Sequence, residues 1–356
     1  MRRSSRDERA LALLARVLPG GSTLRDEYPL AFDPRFGGRV VALEEEGTVR
    51  SACVVLPRDF VCGSVTVRIG LIGSVATDPS WRGRGCMTRL LDRAEHELAG
   101  EGCALALLWA NEPAVYASRG YAPFGHEVDY LAAEPMLTRL PALSGIRDAT
   151  ADDVEGIHAL YGRHSERVDR SIDETRALLS CPDMDVLVAP AVNGRPIAYA
   201  CVGRGHDLEN VVHEWSGDDD TLLALLRAHQ ERRVAKGLPG ELVLMTPPTA
   251  SGLHEVLDSI GAQRFDGILG LAKPLDAEYL ARLLAERTGR QVDVAGGGAL
   301  LAESPSGRRE FPLATAMQAF FPAAGNRAAL QHFADALAVP LERGPMHPFA
   351  WGLDSI

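Results

Sequence analysis

The chain is 356 residues long, 46% hydrophobic and 24% charged, with a formal net charge of -11. That length exceeds one ordinary core and predicts two or three domains of a soluble globular protein. No apolar run reaches the roughly 20 residues that span a bilayer, and the acidic balance argues against a general nucleic-acid binder while being compatible with cationic amine partners.

The N-terminal run MRRSSRDERALALLARVL starts basic, but Asp7, Glu8 and Arg16 interrupt it and no small-residue cleavage site follows. It reads as a surface helix and not a signal peptide, with the cytoplasm as the expected compartment. Arginine far outnumbers lysine, as GC-rich bacterial genomes encode. Residues 39–57 read as two strands around a turn at Glu45–Thr48, with Gly47 supplying the turn and Glu44–Glu46 a solvated tip. In SVTVRIGLIGSVATDP (64–79), Val65, Val67, Ile69, Leu71 and Val75 share one face of a third strand, and Gly70 and Gly73 mark a bulge or a close ligand approach. Apolar residues at 86, 87, 90, 91, 94 and 98 predict a helix stopped by Gly100 and Gly102. CALALLWA (103–110) fits a buried parallel strand, and EPAVYASRGY (112–121) a short helix with Pro113 in its first turn and Gly120 as its stop.

Residues 131–145 read as a connector, after which the element order repeats. A helix within 146–161 is capped by Asp152. Strands follow over 185–204, turning at Asn193-Gly194, then strand 209–217, helix 221–236, strand 241–246 and helix 251–265. Repeated order without repeated sequence suggests an internal duplication. Residues 276–356 form a smaller unit with a helix, two short strands around ALLAESPSGRREFPL, and a helix near 326–338. Cys53, Cys62, Cys86, Cys103, Cys181 and Cys201 are scattered, with no C-x-x-C pair and no histidine cluster at metal spacing, so structural thiols and no metal are expected.

The densest chemical signal is ATDPSWRGRGCMTRLL (76–91), where two glycines and two arginines alternate between a strand and a helix. Main-chain N–H groups there point outward at the positive end of a helix dipole, a natural seat for a pyrophosphate. The Walker pattern and G-x-G-x-x-G are both missing, which weakens nucleotide hydrolysis and dinucleotide binding. Arg82-Gly83-Arg84-Gly85-Cys86-Met87 resembles the acyl-CoA loop [QR]-x-x-G-x-[GA] of the GNAT (GCN5-related N-acetyltransferase) superfamily, with Met87 departing from the small residue at its end. A second signature of that superfamily appears in NEPAVYASRGY: Asn111, Ala114, Tyr116, Gly120 and Tyr121. With the duplicated unit and the ending HPFAWGLDSI, the whole chain resembles the enhanced-intracellular-survival type of acetyltransferase.

This resemblance implies an α/β protein: two tandem GNAT-like mixed-sheet domains and a small α+β C-terminal domain. The catalytic domain would span 1–140, a degenerate GNAT-like domain 145–275, and a sterol-carrier-like domain 276–356. It implies acetyl-CoA as co-substrate and a small-molecule amine as acceptor, with no nucleic-acid or membrane partner; the resembling group is often oligomeric. Val75, Ala76, Thr77, Arg82, Gly83, Arg84, Gly85, Cys86, Met87 and Asn111 would hold the donor. Tyr116 would return a proton to the sulfur, and the Ile356 carboxylate would serve as base. Each has a structural reading too: Val75 as core, Thr77 as a strand-end cap, Tyr116 as a packed ring, Arg82 and Arg84 as surface arginines, Ile356 as a packed tail. Arg89 reads as solvated. Glu27, Tyr28, His126 and Glu127 are weaker candidates for an acceptor pocket. In the second unit SGDDDT replaces the phosphate loop, so His213, Glu214 and Trp215 read as remnant or packing. The alternatives are a silent acyl-CoA-binding regulator, favoured by Met87, and an acetyltransferase acting on protein amines.

Overall fold

The computed structural model describes residues 5–20, 23–189, 195–205, 208–296, 298–324, 327–340 and 346–356. Branched apolar residues through 39–77 build three antiparallel strands, β1 (Arg39–Glu45), β2 (Thr48–Cys62) and β3 (Val65–Thr77). Glu46 and Gly47 join β1 to β2 at φ 54° and 71°, a two-residue turn whose twist matches that of the strands. β2 runs past its expected end at Pro57 because Arg58–Cys62 pair with Val65–Ile69 of β3. The helix Cys86–Gly100 buries Leu90, Leu91, Ala94 and Leu98 against this sheet, the stripe its periodicity predicts. Gly70 of β3 is glycine for a packing reason: a Cβ there would lie 2.5 Å from the Leu98 side chain. β4 (Leu105–Leu108) then returns parallel to β3.

Beyond β4 the chain alternates between two sheets. β5 (Ala122–Phe124) stays in the first sheet, but β6 (Glu127–Ala132) enters a second one. That second sheet also holds β7 (Arg147–Asp148), β9 (Asp185–Val188), β10 (Tyr199–Val202), β11 (Val211–Ser216), β12 (Leu242–Thr246) and β13 (Gln263–Gly267), in the order β13-β6-β12-β11-β10-β9-β7. β8 (Glu166–Val168) pairs with the far end of β2, and β14 (Gly270–Pro274) slots between β4 and β5. The two halves thus trade a strand reciprocally, β6 for β14. The parallel pair β11–β12 around the helix Asp219–Ala235 repeats the pair β3–β4 around Cys86–Gly100. A buried carboxylate locks one exchange: Glu95 accepts from Tyr121 at 3.0 Å and from Lys273 of β14 at 2.6 Å.

Several boundaries move for identifiable reasons. The expected connector 131–145 opens with the end of β6 and a short helix, Glu134–Leu137, because β6 finds partners in β12 and β13. Asp152 does not cap the next helix, Val154–Tyr161. Thr150 and Asp153 form a reciprocal capping box, and Arg147 binds the Asp153 carboxylate at 2.6 and 2.8 Å. The helix expected over 251–265 stops at Ser259, and Gln263–Gly267 becomes β13. Asn193 and Gly194 lie outside the described residues. The C-terminal unit holds three antiparallel strands, β15 (Val292–Ala295), β16 (Ala299–Ser304) and β17 (Gly307–Pro312), with helices Ala277–Thr288, Leu313–Phe320 and Arg327–Leu337. β15 and the helix Leu313–Phe320 go beyond the sequence expectation. All six cysteines are buried and free. Burial lifts the thiols of Cys62 to about 12 and Cys103 to about 11, so neither is a nucleophile. Among the described residues no helix is long and apolar enough to cross a membrane, and no group of three or more His, Cys, Asp or Glu could hold a metal.

Candidate active site

The site begins where two parallel strands part. β3 and β4 pair through Ile69–Leu105, Gly70–Ala106 and Leu71–Leu107 and no further, although β3 continues to Thr77. On its other edge β3 carries an extra residue: Val54 faces Gly73, Ala52 faces Ala76, and one residue of β2 therefore opposes two of β3. Ser74 absorbs this bulge at φ 52°, a left-handed conformation costly for a non-glycine residue. The bulge leaves Ser74 and Val75 without partners in β2, and beyond Leu71 the other edge of β3 is no longer paired with β4.

At the outer end of the gap lies the glycine-arginine loop. Gly83 and Gly85 sit at φ 74° and 71° with open space around both, and Gly85 is the N-cap of the helix Cys86–Gly100. A cavity of about 500 Å³ here is lined by Val75, Ala76, Thr77, Arg82, Gly83, Gly85, Cys86, Met87 and Tyr116, among others. Arg84 lines no part of it. Its guanidinium lies 4.8 Å from the Trp81 ring, with Arg50 at 4.4 Å from the same ring.

At the inner end a larger cavity, about 860 Å³, is lined by Gly73, Ser74, Val75, Asn111, Tyr116, Glu127, Asp129 and Ile356 together with apolar residues of the second half such as Val243 and Met245. Val75 and Tyr116 line both cavities, so the two meet at the tyrosine. Burial raises the Tyr116 hydroxyl above its ordinary value, and the ring packs edge-on against Tyr121 at 5.9 Å. Tyr116 is therefore a protonated donor at neutral pH. Glu127 and Asp129 project from one face of β6 while Val128, Tyr130 and Ala132 are buried on the other. Burial raises both carboxyls, and for Glu127 the nearby Asp129 adds to it. Asp129 Oδ1 is buried without a hydrogen-bond partner among the described residues.

The end of the chain reaches this cavity from the opposite side. A Cβ on Gly73 would lie 2.4 Å from the Ile356 carbonyl oxygen, so glycine there is what admits the tail to the bulge. Trp351, fully buried, anchors it between Phe349 (5.0 Å), Trp215 (5.2 Å) and His164 (4.3 Å). Asp354 takes 2.6 Å and 2.9 Å bonds from Arg170 and Tyr161, while Arg170 also binds Glu214 at 2.7 Å. Of the weaker sequence candidates, Glu127 and Tyr28 line the inner cavity. His126 instead bonds Asp266 at 2.8 Å, and Arg89 is ion-paired with Glu45. His213, Glu214 and Trp215 are buried packing of the second sheet. In its loop Asp218 accepts from Thr221 N (3.0 Å) and Oγ1 (2.8 Å), so the chain's own carboxylate caps that helix. Asp129, Arg204 and Asp354 escaped the sequence reading; only Asp129 left a signal, in the alternation of EVDYLA.

Residues 7–124 match the family model of the acetyltransferase (GNAT) domain, and this match covers the splayed strands, the glycine loop and Tyr116. The N-terminal unit has the GNAT acetyltransferase fold. Solved structures carry the likeness across the chain at low identity. A probable N-acyltransferase from Enterococcus faecalis V583 is 13% identical, with 96% of this chain and 97% of that one covered at a TM-score of 0.66. A GCN5-related N-acetyltransferase from Kribbella flavida is 16% identical (98% and 95% covered, TM-score 0.62). Eis1 from Mycobacterium abscessus is 18% identical (98% of both, TM-score 0.57). No curated protein matches the sequence significantly.

Proposed function

We propose that the protein is an acetyl-CoA-dependent N-acetyltransferase that acts on a small-molecule primary amine in the cytoplasm. One observation carries this reading: Tyr116 stands where a cavity bordered by the glycine loop meets a cavity bordered by carboxylates. In this reading residues 1–140 bind the donor, 145–275 form a GNAT-like unit without a donor site, and 276–356 form a sterol-carrier-like unit. Amides of the loop and Arg82 hold the pyrophosphate, and main-chain groups of Val75–Thr77 hold the arm. An N–H at the bulge polarises the thioester carbonyl. The Ile356 carboxyl group, beside Gly73, removes a proton from the ammonium, directly or through water, since an amine of pKa roughly 10 arrives protonated. The amine nitrogen then attacks the carbonyl carbon, the C–S bond breaks as Tyr116 donates its proton to the sulfur, and the second proton that leaves the nitrogen restores the Tyr116 hydroxyl through water.

A second reading of the base rests on Glu127, whose raised carboxyl suits proton removal near neutral pH. The test of the function is thiol release from acetyl-CoA in the presence of a panel of primary amines, beside calorimetry of CoA binding. Transfer to at least one small amine is expected. Tight CoA binding with no transfer would favour the silent regulator, and transfer confined to proteins would favour a protein-amine acceptor.

A further inference from the structure

Behind the inner cavity, in contact with its lining residues Tyr28, Gly352 and Ser355, the second half of the chain places one group that is out of place as mere packing. Arg204, next to the end of β10, is 1% exposed, and among the described residues it has no carboxylate partner within ion-pair distance. Its Nε donates to the Glu27 carbonyl at 2.8 Å, Nη1 to the Gly352 carbonyl and to Ser355 Oγ at 3.2 Å, and Nη2 to the Ser355 carbonyl at 3.1 Å. Its guanidinium also lies 4.2 Å from the Tyr28 ring. A buried cation satisfied by neutral oxygens alone is expensive to keep. Among the described residues its hydrogen bonds and ring contact fall on two segments: the loop that brings Tyr28 to the cavity, and the tail that ends beside Gly73.

We propose that Arg204 is the positioning residue of the transfer site, a clamp by which the second unit fixes the tail 352–356 and the Glu27–Tyr28 loop as opposite walls of the acceptor cavity. The fork is suited to this because its planar donors reach three carbonyls and a hydroxyl in set directions, which a lysine ammonium cannot reproduce. The clamp gives the second unit a part in turnover although its own loop is filled by Asp218. This inference rests on the acetyl-transfer reading of the cavity.

The test compares Arg204→Met, Arg204→Lys and Ser355→Ala in the full chain. It measures kcat, the acetyl-CoA dissociation constant, the thermal midpoint and hydrogen–deuterium exchange of the peptide 349–356. For Arg204→Met the expected result is a loss of about a hundredfold in kcat with the acetyl-CoA constant within about twofold, and faster exchange in the tail. Arg204→Lys should fall between Met and wild type. Ser355→Ala removes the hydroxyl that accepts from Arg204 and donates to the Gly352 carbonyl at 2.8 Å, without changing any charge, and should speed tail exchange and lower kcat even if Arg204→Met fails to fold. Unchanged tail exchange in the soluble variants, or unchanged kcat with a freed tail, overturns the clamp. A wild-type protein that transfers to no amine overturns the transferase reading instead; the clamp is then judged on tail exchange alone.

Discussion

Tyr116 owes its place to five residues of helix, Pro113–Ala117, whose proline starts the turn and whose exit at Gly120 takes φ 87°. Held protonated by burial, it can donate once per turnover. Tyr116→Phe should therefore lower kcat about a hundredfold while CoA affinity stays within about twofold, measured by thiol release and calorimetry. Loss of affinity in the same proportion would make the ring a packing residue. Glu127 distinguishes the two candidate bases. Its carboxyl is raised, so its ionised fraction grows as pH climbs through the neutral range, and kcat/KM should climb with it. If Glu127 is the base, Glu127→Gln flattens that limb; if the Ile356 carboxyl is, the limb survives. The same shift has a stability sign: a raised carboxyl stabilises the fold at low pH and loses that contribution as pH rises, so Glu127→Gln should gain in thermal midpoint over wild type at pH 8.

The decisive element is β3, which does three things in thirteen residues. Its first half pairs on both sides, its glycines admit Leu98 and Ile356, and its second half leaves β4 at a bulge. Gly73→Ala tests the last two together. The added methyl would meet main-chain atoms of Ile356 at 2.4 and 2.6 Å, which cannot rotate away. The tail should be displaced, kcat should drop at least about tenfold, and donor binding at the glycine loop should persist. A variant with full turnover would show that the tail takes no part. The sequence marks Gly73 as a bulge or close-approach site, and the family resemblance brings Ile356 to the site as base; that these two meet is not legible, because they lie 283 residues apart (356 minus 73).

Strand exchange makes the molecule cooperative as a whole. β4 and β5 are bridged only through β14, so residues 1–145 alone lack a central strand. Expressed by themselves they should remain unfolded or aggregate, judged by near-UV circular dichroism, and a cooperatively folded fragment would contradict the exchange. The second half also carries an acid trigger. Burial holds His164 to about 4, His213 to about 3 and His229 to about 4, all below the ordinary 6.5. The unfolded chain therefore takes up protons first as pH falls, and stability present above 6.5 is lost progressively down to about 4. Because three buried rings act in the same direction, the thermal midpoint should fall steeply between pH 6.5 and 4. A midpoint flat across that window would mean these rings are protonated in the folded protein.

What the amino-acid order determined by itself was local. Periodicity placed the helix Cys86–Gly100, Glu46-Gly47 placed the first hairpin, and positive-φ glycines beside arginine placed a phosphate loop, because each depends on neighbours within one or two turns. The repeat of strand, helix and strand was legible for the same reason. The exchange of β6 and β14, the meeting of Tyr28 and Glu127 in one cavity, and the arrival of Ile356 at Gly73 were decided only by the tertiary structure. They are contacts between distant segments, and their energy comes from buried sheet edges, a desolvated guanidinium and apolar surface. No short window of sequence contains both partners of such contacts.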